Sequence, residues 1–457
     1  MGLYKRKITV SDDTVTTAVN LTLRQSLVPN ALVTILFFLW GFAYGLLDVL
    51  NSHFQTTLDI TASKSSGLQA SYFGAYFICP LTISGWLVRK FGFRVTFMTG
   101  LATLAVGCLL FWPSGVKKSF GGFCGSISIP SSINLVSRFL SICGPPRYSE
   151  IRLNLAQAVQ GVGTFVAPLL ASRVFFAHTL DTDQGLKNVQ WVYLGVACFV
   201  ALLIILFFLA PFPEITDADQ QALESMITEN GQEPKPLKKQ YNLFLGVWSQ
   251  FCYVGAQIAL AGYFINFCQE AGYSSAKSSD LLAIAQGLYA FNRFVATGLM
   301  MMKAFKPRYM LTVYLALCAI FSIAAMNTDG AASVALCILV FCFESCCFAT
   351  IFTLALRGLG RHTKTGGSFL VAAISGGTVF PPMMGAVVDN KNAHLAMAIP
   401  MMGYILAFIF PVYVNIFKKD TMDMHRNTGI NVDVPVGKEI ELERADEQIE
   451  QAEGRKD

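Results

Sequence analysis

Charge is what this chain is short of. Only 14% of its 457 residues are Asp, Glu, Lys or Arg, against 54% hydrophobic residues and a mean hydropathy of +0.51. An ordinary soluble domain carries about 25% charged residues. The shortage excludes a solvated globule, and apolar windows of about twenty residues, long enough to cross a bilayer, recur along nearly the whole length. The chain therefore reads as an all-α polytopic membrane protein. Further absences narrow its function. There is no phosphate-cradling loop, no cluster with metal-ligand spacing and no nucleophile–base constellation. Direct coupling to ATP hydrolysis and ordinary enzyme chemistry are not expected on that ground, and no catalytic residue, metal or cofactor is assigned. The formal charge of +5 says little as a total, and no nucleic-acid partner is implied. The 12 cysteines sit mostly in apolar windows such as FCFESCCF, without the spacing of a disulfide framework or zinc site, and read as small packing residues. No secretory signal is visible in the polar, basic segment 1–30, so the first span is expected to serve as the insertion signal.

What is present is a series of apolar spans. Span 1 is expected near residues 31–52, followed by span 2 at 68–88, span 3 at 92–113 and a weak span 4 at 120–143. Spans 5 and 6 fall near 153–177 and 189–211. A polar stretch at 212–241 then interrupts the chain, and it reads as a solvated tether. Spans 7 to 12 follow near 242–268, 278–302, 309–326, 331–356, 366–388 and 395–417. The domain plan is a tail (1–30), an N-terminal bundle (31–211), a linker (212–241), a C-terminal bundle (242–417) and a charged tail (418–457) that is disordered or weakly helical. Basic residues gather before span 1 and between spans 2 and 3, 4 and 5, 8 and 9, and 10 and 11, which puts both termini and the linker on the cytoplasmic side. Lys117 and Lys118 dent that pattern. The two halves also repeat. GTFVAPLLAS at 163–172 aligns with GTVFPPMMGA at 377–386, six spans later, and the loop at 85–94 is echoed at 298–308. Parallel halves of this kind suit a transporter that rocks about a midplane site.

Polar groups inside the apolar runs are the candidates for function. Residues 36–55, LFFLWGFAYGLLDVLNSHFQ, contain one carboxylate, Asp48. A charge well inside a membrane helix costs roughly 2.5–3.5 kcal/mol on insertion scales, so it faces water, a partner or a cargo. Asp48 reads as a titratable group on a transport path, with a side chain snorkelling from the helix end as the alternative. Arg293 and Glu344 lie well inside spans 8 and 10 at similar depth. They read as a buried ion pair, or as a gate or substitute proton carrier. Pro168, Pro381 and Pro382 fall within spans 5 and 11, where a missing backbone bond permits a hinge or a fixed kink.

Several segments resemble the major facilitator superfamily, and within it the fucose–proton symporter branch. The loop Gly85-Trp-Leu-Val-Arg-Lys-Phe-Gly-Phe-Arg94 resembles the superfamily's span 2–3 signature but has Arg89 at the acidic position. FFLWGFAYGLLDVL (37–50), GPPRYSEIRLNLAQ (144–157), YVGAQ (253–257) and GRHTKTGGSFLVAAISGGTVFPPMMG (360–385) are similar to segments of that branch. The resemblance covers about 31–417, span 4 and the linker excepted. It implies two six-helix bundles and proton-coupled uptake of a fucose-like or glucose/galactose-like sugar. Asp48 matches the branch's span 1 acid, and Gln157 its sugar-contacting amide. One departure is large. Where the branch carries an acid in span 4, this chain reads GSISIPSSINLVSRFLSICGPP (125–146), with no acid at all. The segment reads as a splicing or gene-model replacement, or else as a diverged span.

A sugar needs amides, acids and aromatic faces on a mostly apolar wall. The candidates are Gln157, Gln257, Tyr44, Asn154, Asn266, Gln286 and Asn292, with interhelical glue as the alternative for each. The expected partners are the sugar, a proton and the lipid bilayer, for a monomer in the plasma membrane. The rival readings are an uncoupled sugar facilitator and a receptor that binds sugar without moving it.

Overall fold

The computed structural model describes residues 15–16, 20–57, 70, 72–116, 136–170, 183–210, 212–227, 236–430 and 432. The side chains of Tyr44, Asp48 and Pro168, and all of Asn134, Lys117 and Lys118, lie outside the described residues. Among the described residues every regular element is a helix, and seven helices are long and apolar enough to cross a membrane.

Local chemistry sets where the spans begin. Span 1 runs Leu23–Thr57, starting earlier than hydropathy alone indicates. Thr22 and Gln25 explain the early start: each side chain accepts a hydrogen bond from the other's backbone N–H, at 3.4 and 3.2 Å, which satisfies two donors of the first turn. Span 2 is helical at 72–78, turns at 79–82 and resumes in the helix Ile83–Val116, which also contains span 3. Gly92 divides the two, with φ 81°, a left-handed conformation that only glycine adopts cheaply. The Glu214 carboxylate fills the space beside it, accepting from the backbone N–H of Phe93 at 2.7 Å and Arg94 at 3.0 Å. A carboxylate at a helix N-terminus is favoured by the orphan donors and the helix dipole. Burial pushes the Glu214 carboxyl up, against the pull of those two donors.

Span 4 is represented by Val136–Ile142, and spans 5 and 6 by Ser149–Leu170 and Asp183–Leu209. In the second half, spans 7 to 9 are Tyr241–Glu270, Ser275–Met301 and Pro307–Met326. Span 10 is broken into Gly330–Glu344 and Cys347–Leu356. Span 11 consists of Thr363–Ala372 and Gly376–Asn390, joined by a tight turn of helix at Ala373–Ser375. Span 12 is Ala393–Ala396, Ala398–Ala407 and Ile409–Phe417.

These spans form two bundles, 1–6 and 7–12. Span 1 packs on span 5 and span 3 on span 6; span 7 packs on spans 11 and 12, and span 9 on span 10. The bundles meet where span 5 lies along span 8. There a Cβ on Gly161 would sit 2.9 Å from the Cβ of Ala290, so a small residue is what permits the approach. Large apolar side chains face outward from the bundles, including Leu202, Ile205 and Phe208 on span 6 and Val313 and Ile320 on span 9. Such a surface belongs against lipid.

Two expectations are corrected. The stretch after span 6 is structured rather than a solvated tether. Phe212 stacks on Phe139 at 4.6 Å, and the helix Asp217–Ile227 buries Asp219, Leu223 and Ile227. Thr216 and Asp219 start that helix by reciprocal hydrogen bonds of 2.8 and 3.0 Å. The C-terminal tail begins with a docked helix, Lys419–Asn427, that buries Met422 and His425. Its Asp423 is tied to Lys306 at 2.7 Å and Arg308 at 3.0 Å. Burial works against the Asp423 anion, but the hydrogen bonds and charges of Arg308 and Lys306 hold its carboxyl below the usual range. Arg138, in the weak span 4, is fully buried. It donates to the Ser368 hydroxyl at 2.9 Å and lies over the Phe93 ring at 5.6 Å, joining the two bundles.

Candidate functional site

The break in span 10 organises the centre of the molecule. Where its helical hydrogen bonding lapses around Ser345 and Cys346, three carbonyls find donors on neighbouring spans. Tyr253 donates to the carbonyl of Glu344 at 2.7 Å, Asn292 to that of Cys342 at 2.7 Å and Arg293 to that of Ser345 at 2.8 Å. Irregular backbone at membrane depth is stable only where protein or a cavity supplies such partners. The break also turns Glu344 into the space between the bundles.

That space is a cavity open to water-sized spheres over about 100 Å³, several times what one water needs. Both bundles line it. The first contributes Trp40, Tyr72, Phe73, Gln157, Gln160 and Thr164; the second contributes Gln257, Gln286, Tyr289, Arg293, Phe341, Glu344 and Phe348. Trp40 donates through its indole N–H to the Tyr72 hydroxyl, and its ring stacks on Tyr76 at 6.2 Å. Gln257 and Arg293 both donate to the Tyr289 hydroxyl. Arg293 also donates to the backbone carbonyl of Gln157 at 2.7 Å, a contact that crosses from one bundle to the other. The Gln157 side-chain oxygen is buried and has no partner, which leaves one acceptor open.

Of the residues expected from sequence, the cavity gathers Gln157, Gln257, Gln286, Arg293 and Glu344. Arg293 and Glu344 are both buried, at 4% and 1% exposure, yet they make no direct salt bridge. The Glu344 carboxylate instead accepts from the Tyr404 hydroxyl at 2.6 Å, and Arg293 is taken up by the carbonyls and tyrosine above. The ion-pair expectation is corrected accordingly: the break in span 10 offers the guanidinium better-placed acceptors than the carboxylate does. Asn154 donates to the Glu150 carbonyl at 3.0 Å and does not line the cavity. Asn292 is committed to the span 10 break, and Asn266 does not line the cavity. Pro381 and Pro382 sit inside the continuous helix Gly376–Asn390, while the irregular turn of span 11 lies before them at Ala373–Ser375. Pro168 lies within the span 5 helix. Asp48 lies on the span 1 helix.

Sequence reasoning missed Tyr72, Phe73, Tyr289, Gln160 and Thr164. A signal was available for the last two: Gln157, Gln160, Gly161 and Thr164 share one helix face by their spacing. It also missed the closure of the face carrying the basic loops. There Glu150, at the start of span 5, accepts from Arg357, at the end of span 10. Both side chains are buried, at 2% and 5% exposure. His425 of the tail helix meets Glu224 of the linker helix at 3.1 Å. Among the described residues no group of acids, histidines and cysteines could hold a metal ion.

Comparison with known proteins places this architecture. Residues 33–382 match the model of the Major Facilitator Superfamily. The chain is 29% identical over 382 residues to the glucose/galactose transporter of Brucella abortus, covering 81% of this chain and 90% of that one. It is 29% identical over 421 residues to the L-fucose-proton symporter of Escherichia coli, covering 85% and 93%. Among solved structures, the transporter FucP in the outward conformation superposes with a TM-score of 0.72 at 27% identity, covering 85% of this chain and 99% of that one.

Proposed function

The chain belongs to the major facilitator superfamily, and from that premise we propose that it takes up a monosaccharide together with a proton by alternating access. The sugar is fucose-like or glucose/galactose-like, as in the named relatives. The observation that carries this reading is the inter-bundle cavity with its polar groups drawn from both halves. Gln157 offers an unpartnered amide oxygen to a sugar hydroxyl, and Gln257 and Gln286 offer further amides. Trp40, Tyr72 and Phe73 offer aromatic faces to the apolar side of the ring. Asn154 and Asn292 serve as glue between helices. Asp48 carries the proton, with Glu344 as the second acid on the path. Protonation of Asp48 in the outward-facing state neutralises it and favours sugar binding; rocking about the cavity follows, then release of sugar and proton. One proton moving down about 100 mV gains about 2.3 kcal/mol, and one pH unit adds about 1.4 kcal/mol. Together they support roughly 500-fold accumulation. We place the protein as a monomer in the plasma membrane with both termini cytoplasmic, as the basic loops suggest.

The test is uptake into proteoliposomes with an inward proton gradient, across fucose, galactose, glucose and arabinose. Concentrative uptake of one of them is expected, collapsing with a protonophore and failing in Asp48→Asn. Normal accumulation by Asp48→Asn would remove that residue from the coupling path. A second reading, facilitation without coupling, is favoured by the missing acid in 125–146. It predicts that sugar equilibrates without alkalinising the medium.

A further inference from the structure

A second cavity lies on the basic face, away from the transport path. It is open to water-sized spheres over about 350 Å³ and is lined by Arg147, Lys303, Lys306 and Arg426, with Ile151, Met300 and Met301 on its apolar side. Three separate elements bring these cations together: the segment before span 5, the loop between spans 8 and 9, and the tail helix. Arg426 is fixed there by donating to the carbonyls of Phe305 at 2.7 Å and Met302 at 2.6 Å. Lys306 is shared with Asp423. Arg147 lies over the Tyr148 ring at 5.6 Å, and neither it nor the exposed Lys303 meets a carboxylate among the described residues. The one acid in the lining, Glu150, is already committed to Arg357. Burial and the neighbouring Arg357 and Arg147 lower the pKa of Arg426, against the pull of Glu150 and Asp423. The cavity thus concentrates positive charge that the described residues do not neutralise.

We propose that this cavity binds a phosphate-bearing anion, the headgroup of an anionic phospholipid or a free phosphate, clamped between Arg147 of the first bundle, Lys303 of the second and Arg426 of the tail helix. Arginine's planar fork suits a phosphate, and cationic pockets between membrane helices recognise phosphorylated headgroups. The apolar wall beside the cations suits the glycerol end of a lipid. Because the ligand touches both bundles, it holds the basic face closed beside the Glu150–Arg357 bridge. The site is independent of which sugar, if any, the central cavity takes.

The full chain is reconstituted in phosphatidylcholine nanodiscs and titrated with inorganic phosphate. In parallel, nanodiscs containing about 5% phosphatidylinositol monophosphate are analysed by native mass spectrometry for retained lipid. Arg147→Gln/Lys303→Gln is expected to weaken binding by about 25-fold, at about fivefold for each cation lost. Arg147→Lys/Lys303→Arg, which keeps the charge, is expected to bind nearly as the parent does. Saturable binding of phosphate alone identifies a soluble ligand, and retention of the phosphoinositide alone identifies a headgroup. The proposal is overturned if neither probe binds the parent, if the Gln variant binds as the parent does, or if the charge-keeping variant loses binding to the same degree.

Discussion

Arg293 does the work of several residues at once. It satisfies a carbonyl freed by the break in span 10, binds the Tyr289 hydroxyl and reaches across to the backbone of Gln157. A lysine has the charge but not the fork, so it can hold only part of this arrangement. Arg293→Lys is expected to lower stability by about 1.5–3 kcal/mol, the worth of a hydrogen bond to a charged group. It should weaken sugar binding by about tenfold, a loss of about 1.4 kcal/mol. Thermal unfolding in detergent and equilibrium binding measure the two effects, and unchanged sugar affinity would remove Arg293 from the site. Gln157 and Gln257, which line the cavity, were legible as candidates because amides in apolar helices are rare and these two belong to recognisable segments. Asn292 was not distinguishable from them. Its partners are carbonyls of span 10 exposed by an irregularity that hydropathy does not register.

At the scale of elements, the junction of spans 2 and 3 depends on one backbone conformation. Gly92 has φ 81°, and a Cβ there would stand 2.3 Å from the Glu214 carboxylate. Gly92→Ala combines left-handed strain with displacement of the cap on span 3. A loss of about 1–3 kcal/mol is expected, read as a lower unfolding midpoint. If Gly92→Ala unfolds at the parent's midpoint, the capping account fails. The span 2–3 signature was visible in sequence, including its missing acid at Arg89. The acid beside that loop in space, Glu214, comes from 120 residues further on, in a stretch that composition alone described as a tether. The same limit hid the linker and tail helices: their apolar sides are short, and they become stable by docking on the bundles rather than by their own pattern.

For the whole molecule, the question is what keeps the basic face closed. The buried Glu150–Arg357 bridge spans the two bundles, and removing one partner of such a pair leaves an uncompensated charge at a cost of about 3–5 kcal/mol. Glu150→Gln is therefore expected to shift the population toward an open basic face. Paired spin labels on Lys90 and Arg361, one in each half, would report longer distances in the variant. A distance distribution matching the parent would show that this bridge does not set the balance.

Sequence alone determined the bilayer as solvent, the all-α class and the family, because hydrophobic length and segment identity are properties of contiguous residues. It also singled out Asp48, Gln157, Gln257, Arg293 and Glu344 by the cost of burying polar groups in an apolar run. Only the tertiary structure decided which of these meet. It separated Arg293 from Glu344, drew Glu214 to Gly92 and Glu150 to Arg357, and left a cationic cavity where three distant segments converge. Those outcomes turn on which donors and acceptors become neighbours once the helices pack, and spacing along the chain carries no record of that.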